Sequence, residues 1–299
     1  MKIIKIFLFL FLVFFISGAH AQIDIGISIS SSFAPPPLPY YEQPYCPGDG
    51  YMWTPGYWDY DDEDGYYWVP GVWVRPPQYG FLWTPAYWGY ETGFYGFHSG
   101  YWGTHVGFYG GVNYGCGYGG SGFGGGEWRG NTFRYNRAVT NVNVTNIHNT
   151  YINNTVINHG NNRTSFNGQG GISARPSSRD QAFMHEQHMR PTNEQMSHQQ
   201  TAGHDRNQFA NVNHGRPNTV AMNAVGGRRF NSAGRPASPA VLQQHSISGQ
   251  QQPQRQQQQP QQRQQQPQQR QEQQPQQRQQ QPQQRQQEDR PTEGGQQRH

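Results

Sequence analysis

The sequence predicts a mainly β protein: a short-stranded antiparallel meander of aromatic repeats, one short helix, and a long disordered C-terminal tail rich in Gln, Pro and Arg. Three observations carry this expectation. Tryptophan pairs recur on a fixed fifteen-residue interval in "YMWTPGYW" (51–58), "YYWVPGVW" (66–73) and "FLWTPAYW" (81–88). Aromatic residues reach 14% while charged residues reach only 13%, about half the usual charged share of a globular domain. Little Leu, Ile or Val lies in the candidate body, so any packed core there must be aromatic. Finally, the chain from Gln250 onward is nearly pure Gln, Pro and Arg, a composition that cannot bury a core.

Residues 1–21 read as a cleavable secretory signal. Lys2 and Lys5 precede the uninterrupted apolar run Ile6–Ile16, and Ala19 and Ala21 form an A-x-A pattern before Gln22. Cleavage is expected between Ala21 and Gln22. Eleven apolar residues are too few for the roughly 20 that a membrane span needs, and no later segment is more apolar. No Cys stands at the cleavage position, so lipidation there is not expected. The implied destination is the periplasm, the outer-membrane surface or the medium.

Residues 22–50 form a polar, then Pro-rich lead-in, in which consecutive prolines favour extended polyproline structure and a semi-rigid spacer. Residues 51–127 hold the repeats and a Gly/Tyr-rich extension. Here Trp53, Trp68 and Trp83 are evenly spaced, as are Trp58, Trp73 and Trp88. A degenerate fourth unit, "FHSGYW" (97–102), puts Phe97 where a Trp is expected, keeps Gly100 and Trp102, and falls one residue short of register. Such periodicity outranks other signals.

If Pro55-Gly56 centres a turn, Trp53 faces Trp58, and Tyr51, Trp53, Trp58 and Tyr60 share one strand face. Met52, Asp59, Tyr67, Val74, Leu82 and Gly89 then make up a mixed opposite face. The alternate connections, "YDDEDG" (60–65) and "RPPQYG" (75–80), are built of turn formers. A second arrangement stays open, because L-Pro cannot enter the primed turns that hairpins favour: Pro-Gly kinks one longer strand. Ala86, replacing Gly, disfavours a type II turn in its unit.

Residues 128–160 are rich in Asn and β-branched side chains, and "AVTNVNVTNIHNTYINNTVINH" (138–159) has poor helix propensity. Extended structure pairing with the repeat sheet is expected, with an Asn-rich, self-associating edge as the alternative. Residues 161–249 are polar and mostly irregular, apart from a short helix near 177–189, where Ser178 with Gln181 fits a capping box and Pro191 ends it. Residues 250–299 form the tail, with prolines at 253, 260, 267, 275 and 282 and Arg at regular intervals.

The repeats "WTPGYW", "WVPGVW" and "WTPAYW" resemble those of the YXWGXW (WXXGXW) family of secreted bacterial proteins. The blocks "APPPLPYYEQPYCPGDGY", "GFYGGVNYGCGYGG", "FRYNRAVTNVNVTNIHNTY" and "GGISARPSSRDQAFMHEQHM" resemble further segments of that family in the same order, over roughly residues 34–190. Ala86, Phe97 and Cys116 depart from the pattern. The resemblance implies export and a repeat-built β body. It defines no activity and no catalytic residues to carry over.

Charge is segregated. From Glu42 to Glu127 there are nine acids against Arg75 alone, whereas from Trp128 onward nineteen Arg stand against eight acids. The solvated reading of these segments is weightier than a polyanion-binding tail or one that folds back on the acidic region. Cys46 and Cys116, the two cysteines, can form a disulfide in an oxidising compartment, remain free thiols, or bridge to another chain.

No motif supports catalysis. "MHEQHM" (184–189) lacks the H-E-x-x-H spacing of a zinc protease. Aligning Gly65 of "DYDDEDG" (59–65) with the invariant calcium-loop Gly puts Tyr60 at the first ligand position and Gly71 where a bidentate Glu belongs. "GYGGSGFGGG" (117–126) lacks the Lys-Ser/Thr of a P-loop. No catalytic, cofactor or metal residues are therefore expected, nor a dedicated nucleic-acid site. The function expected is that of a non-enzymatic, exported structural or interaction protein of the bacterial envelope. Its basic tail would tether it to anionic envelope polymers. The alternative is a carbohydrate-binding module using the Trp/Tyr repeat face for polysaccharide, although burial of that face as the protein's own core is the weightier reading.

Overall fold

The computed structural model describes residues 27–157 and 162–235. The chain divides into two units, Met1–Gly249 and Gln250–His299, and every described residue belongs to the first. The signal, the Ala21-Gln22 junction and the tail from Gln250 lie outside the described residues.

Strand β1 (Ile27–Ser31) comes from the lead-in. The repeats then build two long hairpins. In the first, β2 (Met52–Thr54) and β3 (Tyr57–Asp61) run out, and β4 (Gly65–Val69) and β5 (Gly71–Val74) return. Trp58 pairs with Trp68 across β3–β4, and Trp53 pairs with Trp73 across β2–β5. The register is the same on both sides of Pro55-Gly56 and Pro70-Gly71, so these steps interrupt one hairpin without adding or removing a residue.

Pro-Gly is therefore a kink, and the arrangement in which it turns the chain so that Trp53 faces Trp58 is corrected. Proline has no N–H for the ladder, and the glycine N–H groups turn outward. That of Gly71 donates to the Val220 carbonyl at 3.1 Å, and that of Gly56 to the Tyr41 hydroxyl at 3.4 Å.

The second hairpin repeats the design with β6 (Leu82–Thr84), β7 (Tyr87–Glu91), β8 (Phe94–His98) and β9 (Tyr101–Gly103). Trp83 pairs with Trp102 and Trp88 with Phe97. The reason the fourth unit falls one residue short lies in the turns. Asp61 pairs with Gly65 around a three-residue loop closed by Gly65 at φ 82°, whereas Glu91 pairs with Phe94 around Thr92-Gly93, both at positive φ. The first is the loop that ends in a left-handed Gly, and the second is the two-residue primed type.

The Gly/Tyr extension adds β10 (Asn113–Gly115) and β11 (Tyr118–Gly119). The Tyr118 hydroxyl donates to the Trp83 carbonyl at 2.9 Å and lies 3.4 Å from that of Trp53, the equivalent position of the other hairpin. Strands β12 (Gly126–Arg129), β13 (Thr132–Asn136) and β14 (Thr150–Tyr151) form a separate sheet. The Asn-rich segment thus does not pair with the repeat sheet. Between β13 and β14 an amide holds a turn instead, where Asn143 Oδ1 accepts from the Thr145 N–H at 2.9 Å, while Asn136 Nδ2 at the end of β13 ties in the Gly124 and Asn153 carbonyls at 2.9 and 3.0 Å. Side chains that hydrogen-bond nearby backbone compete with regular strands.

Residues 162–235 hold more regular structure than the one short helix expected. Strand β15 (Phe166–Asn167) runs parallel to β7, and β1 flanks β8 on the other side. Helix α1 (Ser178–Met184) is capped by Ser177 with Asp180, one residue before the expected box. Helix α2 (Asn193–Gly203) follows, capped by Thr192 with Gln195, and α3 (Ala210–Asn213) is one turn long. Strand β16 (Ala221–Met222) then adds to β5 in parallel and pairs with β17 (Arg229–Phe230). On the mixed face of the first hairpin Met52, Asp59 and Val74 are fully buried, with Gln199 of α2 on Asp59.

The lead-in is a strap rather than a spacer. Polyproline carbonyls have no partners within their own segment, and here they accept indole N–H groups. Trp58 Nε1 donates to Pro37 O at 3.3 Å and Trp73 Nε1 to Pro44 O at 2.8 Å.

Candidate functional site

The repeat residues singled out by the sequence meet in one place. Ring centroids are 5.4 Å apart for Trp53–Trp73, 5.3 Å for Trp58–Trp68, 5.2 Å for Trp83–Trp102 and 5.1 Å for Trp88–Phe97. All eight of these rings are at most 5% exposed. The interplanar angles, 48–68°, put ring edges toward electron-rich faces, a geometry worth about 0.5–1.5 kcal/mol per pair beyond burial. Burial itself is larger. An indole that withdraws about 150–250 Å² from water stabilises by roughly 4–6 kcal/mol as an upper estimate. This aromatic stack is the core.

Two close approaches explain the glycines of the motif. A β-carbon on Gly56 would fall inside the Trp68 indole, and one on Gly71 inside that of Trp53. Neither residue has positive φ. Gly is required for the ring contact rather than for a type II turn. In the second hairpin the position of Gly56 is held by Ala86 and that of Trp68 by Phe97. The two departures from the repeat are one substitution in space, a smaller ring beside an added methyl group.

This stack is closed to ligands. Between the kinks lies a small cavity of about 60 Å³ whose lining includes Pro55, Pro70, Gly100 and His198, well below the roughly 300 Å³ at which small-molecule sites begin. The carbohydrate module built on the repeat face is corrected accordingly: that face packs against the protein itself.

The remaining candidates disperse. Cys46 and Cys116 are free thiols rather than a pair. Cys46 Sγ lies 3.2 Å from the Gly48 carbonyl, whereas Cys116 sits in the β10–β11 turn at φ 50°. Burial pushes both up, to about 11 for Cys46 and about 12 for Cys116, which keeps them protonated and poor nucleophiles.

His185 ends α1. His188 donates from Nε2 to the Phe183 carbonyl at 2.9 Å and packs on Tyr101, while Glu186 turns to His105 at 2.9 Å. In the acidic turn, Asp61 Oδ1 accepts from the Glu63 and Asp64 N–H groups at 2.9 and 3.0 Å, and these bonds lower its pKa. Asp59, from the same run, is buried beneath α2. It accepts from Tyr60 N–H at 2.8 Å, Tyr67 hydroxyl at 3.0 Å and Gln199 amide. Burial raises its pKa and outweighs those three bonds. Among the described residues no three His, Cys, Asp or Glu side chains gather into a metal site, and no helix is long and apolar enough to cross a membrane.

One accessible concavity stands out, which the sequence reading did not single out. It is an open groove of about 820 Å³ between the 75–80 connection and the β12–β13 hairpin. Tyr79, 70% exposed, meets Trp128 at a centroid distance of 5.9 Å and an interplanar angle of 75°. Trp128 is held by its Nε1 donating to the Phe81 carbonyl at 2.9 Å. The Arg75 guanidinium lies 4.4 Å over the Tyr51 ring. Two sequence signals pointed here: Trp128 is the tryptophan outside the repeats, and Arg75 is the lone cation of the acidic region.

These features define an aromatic-repeat β protein whose tryptophan pairs are its core. Residues 48–74, which include the whole first hairpin, match the family model of the WXXGXW repeat in two copies. The chain carries that repeat, and the hairpin with Ala86 and Phe97 lies beyond the matched residues. No curated protein and no solved structure matches the chain.

Proposed function

We propose that the chain is a non-enzymatic structural or interaction protein, exported to the bacterial envelope or beyond it, with residues 27–235 as a rigid scaffold and Gln250–His299 as a basic tether. The observation that supports it most is the burial of seven of the eight tryptophans in cross-strand pairs. The motif's characteristic residues are thereby engaged in cohesion and not presented to a substrate. The protonated thiols and scattered histidines favour the same reading. The apolar run at Ile6–Ile16 with Ala19 and Ala21 supports export.

The tail's regularly spaced Arg residues suit a salt-sensitive attraction to anionic headgroups or acidic polymers. Fractionating cells into cytoplasm, periplasm, outer membrane and medium tests the export reading. A mature chain beginning at Gln22 outside the cytoplasm is the expected result, and an unprocessed cytoplasmic chain overturns it. Retention on an anionic polymer at low salt should fall when residues 250–299 are removed, and equal retention removes the tether.

A further inference from the structure

The groove beside Trp128 has features that the scaffold reading does not use, and from them we infer that it binds a neutral, β-1,4-linked pyranose chain. The face of an aromatic ring is electron-rich and accepts the axial C–H bonds of a pyranose whose substituents are equatorial. In a β-1,4-linked chain those C–H bonds line both sides of a flat ribbon. Tyr79 and Trp128, set 75° apart, give such a ribbon one ring to lie on and another to abut. Both rings lose little conformational freedom on binding.

The rim matches hydroxyl groups, which both donate and accept. Gln78, Asn131 and Asn149 line it; Gln78 and Asn131 are exposed. Asp49 and Arg75 share the lining, so the charge is balanced and no field selects an anionic sugar. A polyproline peptide, the other natural guest of an aromatic groove, offers backbone carbonyls but few donors, and would leave the Asp49 carboxylate and the amide oxygens unmatched. At about 820 Å³ and open, the groove is at the large end of ligand sites and suits a chain segment better than a single sugar.

The test is calorimetric titration of the full chain with cellohexaose, chitohexaose, maltohexaose and a Pro-rich decapeptide. The expected result is saturable binding of at least one of the two β-1,4 hexamers, whose difference reports hydroxyl against N-acetyl preference, with maltohexaose at least tenfold weaker. Tyr79→Ala, at an exposed position, should weaken that binding at least tenfold with an unchanged circular dichroism spectrum. Trp128→Phe, which loses the bond to Phe81 but keeps a ring, should weaken it less. Absence of β-1,4 binding at millimolar concentration, equal affinity for maltohexaose, undiminished binding by Tyr79→Ala, or preference for the peptide would each overturn the inference. None of these outcomes bears on export or on the tether, which fractionation and polymer retention read separately.

Discussion

The Trp68 indole lies directly against the α-carbon of Gly56, in the space a β-carbon would need, and the equivalent pair in the second hairpin is Phe97 and Ala86. The repeat's Gly and Trp are thus a single packing unit that spans two strands. Gly56→Ala should destabilise the protein by about 1–3 kcal/mol, the usual cost of overpacking. Trp68→Phe should destabilise it as well, by removing buried ring area. Combined, the two should cost less than their sum by on the order of 1 kcal/mol or more, since the double variant recreates the second hairpin's pairing. Urea unfolding of all four chains gives the cycle, and strict additivity would contradict the contact.

Thr92 sits at φ 47° beside Gly93 at φ 100° in the two-residue turn between β7 and β8. A β-branched residue is disfavoured there, whereas Asn-Gly is the preferred pair for such a turn. Thr92→Asn should raise stability by roughly 0.5–1 kcal/mol, measured as a higher urea midpoint with unchanged slope.

Gln195 serves two elements at once. Its Oε1 accepts the Trp102 indole N–H at 2.7 Å and the Thr192 backbone N–H at 2.9 Å, so the cap of α2 is tied to the last repeat tryptophan. Gln195→Ala would leave a buried indole N–H without a partner, costing about 1–3 kcal/mol, whereas Ser177→Ala at the exposed N-cap of α1 should cost about 0.5–2 kcal/mol. Thermal unfolding of the two variants compares them, and a smaller loss for Gln195→Ala would contradict the coupling.

Asp59 gives a pH signature. Its carboxyl is raised by burial in the fold, so between the unfolded value near 4 and the folded value the native state binds more protons than the unfolded one. Stability from this group is greatest below the unfolded value and falls as pH rises through that window. Asp59→Asn removes the dependence. The amide of Gln199 can turn to keep a partner, so the variant should equal or exceed the parent at neutral pH and lose that advantage in acid. Unfolding curves of both chains from pH 3 to 8 measure the difference. A variant less stable at neutral pH than in acid, relative to the parent, would contradict it.

The sequence carried the aromatic core plainly, because Trp53, Trp58 and their repeats announce themselves by spacing. It carried the kink as the second of two arrangements, and the L-Pro objection to a hairpin turn was the physical clue that decided it. What it hid is the cover. Gln195, His198 and Gln208 are buried through hydrogen bonds to Trp102, Pro70 and Thr219, so residues 193–222 show no apolar periodicity to read. Thr192 with Gln195 after Pro191 was a visible helix start. The groove at Tyr79 and Trp128 arises from two segments that nothing in the linear pattern brings together.

The most direct measurement of the central claim is acrylamide quenching of tryptophan emission in the full chain, alongside its far-ultraviolet circular dichroism. Indoles paired inside a core predict blue-shifted, protected emission from all but a minor component, together with an exciton couplet from the coupled rings. Red-shifted emission that acrylamide quenches freely, with no couplet, would mean that the tryptophan pairs do not form the core.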